Sequence, residues 1–154
     1  MWTSGQGDGG KAKLAERLSM AGFLPFALCL FWLLGTGPDE PNWHLALNAM
    51  RGYAIAILSF LGGIRWGAAL EDGKGGRTFW HSVVPSLLAW GTLFMQPVLA
   101  LAILAMTFAG QGAWDVLSAQ SGSLPRWYGT IRMKLTFMVV GALLAAMVRA
   151  GWSA

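Results

Sequence analysis

From Thr78 to Trp114 the sequence contains no Lys, Arg, Asp or Glu. A water-soluble core of this size is built from elements that each keep a polar face, and such faces recur along the chain. An uncharged run of that length has to be solvated by lipid or by other helices. Composition agrees: 55% of the 154 residues are hydrophobic and 12% charged, against roughly 25% charged in ordinary soluble domains. The mean hydropathy is +0.51. The expectation is an all-α integral membrane protein.

Helix breakers divide the apolar sequence into a bundle of five predicted transmembrane helices, at about 20–34, 45–70, 79–95, 98–114 and 131–152. The first ends in Gly35, Gly37 and Pro38, and the GTGPDEP that follows has no small-residue cleavage pattern. It therefore reads as an uncleaved membrane helix and not as a signal peptide. Pro25 lies inside it and predicts a kink, with the freed carbonyl satisfied by a neighbouring helix. Only Gln96-Pro97 separates the third and fourth segments, which predicts a tight helical hairpin, with a re-entrant pair as the alternative. Residues 1–18 read as a polar, Gly-rich tail and 19–154 as a single transmembrane domain.

Cations alternate from loop to loop. Lys11, Lys13 and Arg17 precede the first helix, Lys74 and Arg77 follow the second, and Arg126, Arg132 and Lys134 open the fifth. On the other side stand Asp39 and Glu40 with Arg51 at the far end of their loop, the uncharged Gln96-Pro97 turn, and Arg149. By the positive-inside rule the N-terminus is cytoplasmic and the C-terminus lies outside. Trp32, Trp43, Trp66, Trp80, Trp114, Trp127 and Trp152 fall near segment ends, as interfacial anchors do. The net charge of +4 forms no basic stripe and carries no recognition motif, so nucleic acid is not an expected partner.

On the second helix Gly52, Ala56, Ser59, Gly63 and Gly67 recur at steps of three or four and share one smooth face, with Gly63 and Gly67 forming a GxxxG pair. That face is a predicted helix-packing surface. Arg65 lies about 200° around the helix from Gly63. It starts roughly 9 Å below the predicted helix end, so one reading has its side chain snorkel to the interface. The other has it meet an anionic group at its own depth. Arg65, Arg77, Tyr128, Arg132 and Lys134 all fall on the predicted cytoplasmic side, where cations beside aromatic rings suit an anionic lipid headgroup.

Catalytic groups are scarce. His44 and His81 fall at opposite predicted faces and Cys29 is the single cysteine, so neither a metal site nor a disulfide is expected. Gly73–Arg77 (GKGGR) lacks the spacing of a phosphate-binding loop. His81 beside Ser82 has no acidic orienting group nearby in sequence, so a nucleophile-and-base pair is not expected. Every carboxylate reads as lying in a tail, a loop or at a helix end, which argues against proton-coupled transport. The sequence leads to the expectation of a protein that is not an enzyme and needs no cofactor.

Four stretches carry a resemblance: GFLPF at Gly22–Phe26, ILSFLGGIRWG at Ile57–Gly67, SVVPSLLAW at Ser82–Trp90 and LPRWYGTIRMKLT at Leu124–Thr136. In this order they resemble an uncharacterised bacterial and mitochondrial family of multi-pass membrane proteins, the one that includes transmembrane protein 69. The resemblance implies an inner-membrane location, bacterial in the first instance and mitochondrial in the second, and implies no activity. Two roles are expected from the residues. One is a non-catalytic accessory or assembly subunit of a larger inner-membrane complex, docked through the small-residue face. The other is an anionic-lipid-binding or lipid-transporting protein using the arginines.

Overall fold

The computed structural model describes residues 8–71, 77–120 and 126–152, and the described residues are helical almost throughout. Helix α1 (Asp8–Ala21) is followed closely by α2 (Leu24–Gly35); then come α3 (Pro41–Glu71), α4 (Arg77–Gly91), a single 3₁₀ turn (Thr92–Phe94), α5 (Pro97–Gln120) and α6 (Arg126–Gly151). Among the described residues four stretches are long and apolar enough to cross a membrane: Glu16–Gly35, Pro41–Gly67, Pro97–Gln120 and Trp127–Gly151. The predicted third span is the exception, since α4 has only 15 residues. With its 3₁₀ turn it rises about 28 Å, close to the roughly 30 Å of hydrocarbon in a bilayer.

The boundaries differ from the sequence expectation in physically simple ways. The predicted polar tail is helical from Asp8 onward, and Lys74 and the Leu124-Pro125 pair lie outside the described residues. Pro25 sits in the first turn of α2, where its missing N–H is cheapest, so the chain breaks at Gly22-Phe23 and restarts. Pro25 lacks the N–H that would reach the Ala21 carbonyl; the bond from a neighbouring helix falls on the next carbonyl instead, Tyr53 of α3 donating its hydroxyl to Gly22 O at 2.7 Å.

The core runs through all the longer helices. Phe26 and Leu33 of α2, Leu47, Met50, Ala54 and Leu58 of α3, Leu101, Leu104 and Phe108 of α5, and Leu143 and Ala146 of α6 are buried together. Phe26 is its hinge, edge-on to Tyr53 at 5.0 Å and to Phe108 at 5.9 Å. Large apolar side chains such as Phe31, Phe60, Phe94, Met106 and Phe137 point outward. With lipid on the outside, helices gain little by hiding apolar surface and associate through close backbone approach instead.

Glycines mark those approaches. A Cβ on Gly62 would meet the Ser82 carbonyl of α4, one on Gly112 would meet Thr136 of α6, and one on Gly129 would meet Ala119 of α5. Trp43 corrects the anchor reading, since it is 5% exposed and belongs to the core. Arg51 is a second correction. It is no loop charge but a buried member of α3, donating to the Thr92 and Met95 carbonyls where α4 ends. Thr92 O already accepts from the Met95 N–H of the 3₁₀ turn, and the guanidinium adds a further donor to it and one to Met95 O, fixing the turn into α5.

Candidate functional site

Near the end of the bundle where α3 finishes and α6 begins, three charges from three helices meet. Arg65 donates through Nη2 to Oδ1 of Asp115, and Arg132 donates through Nε to Oδ2 of the same carboxylate at 2.6 Å. All three are nearly sealed, their side chains 10%, 3% and 7% exposed for Arg65, Asp115 and Arg132. Each stands within a stretch able to cross the membrane. The two sequence readings of Arg65 are thereby resolved in favour of an anionic partner at its own depth.

That partner is where the sequence reading fails. The fourth span was expected to end at 114, which placed Asp115 at the interface, whereas α5 continues to Gln120 and carries Asp115 inward. The signal was present in the spacing. Leu101, Leu104, Ala105, Phe108, Gln111, Gly112, Asp115 and Ala119 recur every three or four residues and form the buried face of α5. Continuing that face past Trp114 would have put the carboxylate inside.

Two guanidinium groups on one carboxylate leave an excess of one positive charge. Isolated charge at depth is costly, so the arrangement favours a further anion. The hydrogen bonding points the same way: Arg132 Nη2 and Arg65 Nε are buried without a partner. Arg132 lines a cleft of about 400 Å³ between α1, α2, α3 and α6, walled by Leu18, Phe23, Ile57, Leu61 and Val139. Arg65 lines a separate groove of about 520 Å³ between α4 and α5. Its guanidinium lies 5.7 Å from the Trp114 ring centroid, in cation–π range.

Of the residues expected at an anionic headgroup, Arg65 and Arg132 come together. Tyr128, one turn before Arg132, is half-buried within electrostatic reach of Asp115, Arg132 and Arg65. Lys134 does not join them. It is 60% exposed on another face of α6 and stands 3.9 Å from Glu16 of α1. Arg77 opens α4, and its side chain lies outside the described residues.

The predicted packing face behaves differently from an internal seam. Gly52, Ala56, Ser59, Gly63 and Gly67 are exposed, and Gly52, Gly63 and Gly67 have nothing within 4 Å of a built Cβ. Inside the chain the close contact of α3 falls on Gly62, about 100° away. Ser59 and Gly63 line only a shallow depression beside α4.

A family model described as "Protein of unknown function (DUF3429)" matches residues 11–148. Among curated proteins, transmembrane protein 69 of Xenopus tropicalis is 33% identical over 141 residues, covering 88% of this chain and 54% of the relative. The chain thus spans about half the length of that relative. No solved structure matches.

Proposed function

The chain belongs to the DUF3429 family of proteins of unknown function, and from that premise we propose that it is a non-catalytic inner-membrane protein that holds an anionic phospholipid at Arg132. One observation carries this reading. Arg132 is 6% exposed, shares its carboxylate with Arg65, keeps Nη2 without a partner, and lines an apolar cleft. A headgroup phosphate would supply the missing charge and acceptor, while acyl chains would run along Phe23, Ile57 and Val139. Orientation follows the loop cations: the N-terminus lies in the cytoplasm of a bacterium, the C-terminus outside, and the mitochondrial inner membrane is the second setting.

The test is lipid titration of delipidated protein in mild detergent, read as melting temperature. A ligand that binds only the folded state stabilises by about 2.7 kcal/mol at a hundred times its dissociation constant. Phosphatidylglycerol or cardiolipin should raise the melting temperature, phosphatidylcholine should not, and Arg132→Gln should remove the difference. Equal shifts from anionic and zwitterionic lipid would overturn the reading.

A second role is favoured by a separate observation, the exposed Gly52, Ala56, Ser59, Gly63 and Gly67 face. An accessory or assembly subunit would dock a partner helix there. Gly63→Ile should then release the protein from a large assembly on native gels, and unchanged migration would count against docking.

A further inference from the structure

The groove between α4 and α5 is distinct from the Arg132 cleft, and its chemistry differs. α4 leans mainly on α3, and where it diverges from α5 it leaves about 520 Å³ lined at one end by Arg65, His81, Gln111 and Trp114. The other end is apolar, with Pro85, Leu88, Ile103 and Met106. This volume lies within the roughly 300–1,000 Å³ of small-molecule sites. Gln111 is 6% exposed and its Nε2 has no partner, an arrangement that is costly unless something accepts from it. Arg65 Nε, at the same end, is likewise unpartnered.

Two unpartnered donors therefore belong to side chains that line this groove, and Arg65 is also engaged by Asp115. Gln111 is uncharged and the Arg65 guanidinium lies against the Trp114 ring as well as Asp115, so neutral acceptor oxygens are enough to satisfy the two donors. The His81 and Trp114 rings stack at 4.8 Å and 26°, which supplies an aromatic wall beside the donors. Met106 is 65% exposed, so the apolar end meets the lipid. We propose that this groove binds a neutral amphiphile with a carbonyl-bearing ring and a hydrocarbon tail, of the isoprenoid quinone class. The ring carbonyls accept from Gln111 Nε2 and Arg65 Nε, and the tail follows Leu88, Ile103 and Met106 outward.

The experiment is photolabelling of the full-length protein in lipid nanodiscs with an azido-quinone of short tail, followed by mapping of the labelled peptides. Label should enter the segments around His81–Leu88 and Ile103–Trp114 and should be displaced by excess decylubiquinone. Gln111→Leu should lower labelling about fivefold, the value of one buried hydrogen bond. Met106→Trp, at an exposed position that folding tolerates, should block the groove and lower it as well. Lys134→Gln, at an exposed position outside both the triad and the groove, should leave labelling unchanged, and competition by phosphatidylglycerol separates this site from the anionic-lipid cleft. Labelling that survives both groove variants, or that phosphatidylglycerol displaces as readily as quinone does, would overturn the proposal.

Discussion

Asp115 is the residue on which most depends, because a single carboxylate holds two buried guanidinium groups from different helices. Breaking a buried pair from one side leaves the other charge uncompensated, at a cost of about 3–5 kcal/mol. Asp115→Asn leaves two such charges, whereas Arg65→Gln or Arg132→Gln leaves a balanced pair. Thermal unfolding in one detergent should therefore rank Asp115→Asn below either arginine variant, and the reverse order would contradict the triad. The sequence left Arg65 between snorkelling to the interface and meeting an anionic group, since a charge inside an apolar run is expensive but a long side chain can escape it. Its partner was not readable, because a hydropathy boundary drawn at Trp114 cut the helix before its last inward-facing positions.

Among the elements, adjacent glycines do opposite work. Gly62 meets the α4 backbone and Gly63 meets nothing within 4 Å. Gly62→Val should destabilise by about 1–3 kcal/mol through overpacking. Gly63→Ala should be neutral or stabilising by up to about 1 kcal/mol, since alanine is the better helix former. Chemical denaturation of the two variants checks this, and equal losses would contradict the assigned seam. Spacing singled out the face of Gly52, Ala56, Ser59, Gly63 and Gly67, which is exposed within the chain, and period alone cannot say which of two faces 100° apart receives the neighbouring helix. Gln96-Pro97 marked the boundary between the 3₁₀ turn after α4 and the start of α5, whereas Arg51 was counted with the loop charges Asp39 and Glu40 although it stood inside the expected 45–70 helix, which begins earlier, at Pro41.

For the whole molecule, apolar length and loop charge carried the architecture, and the all-helical, multi-pass character follows from them directly. The proposed topology has the ends of the chain on opposite sides, which requires α4 and its 3₁₀ turn to cross despite their shortness. Paired enzyme reporters fused at the two ends should report opposite compartments; the same compartment for both would remove one crossing. The site was harder to read than the fold, since it joins Arg65, Asp115 and Arg132 across 67 positions of sequence, from 65 to 132, and only tertiary packing brings them together. The positive charge left over in that triad is what a bound anion would answer. Native mass spectrometry of protein extracted from its own membranes tests that binding most directly. Wild type and Arg132→Lys should each retain one anionic phospholipid that Arg132→Gln has lost. Identical lipid occupancy in all three, or retention of zwitterionic lipid alone, would contradict it.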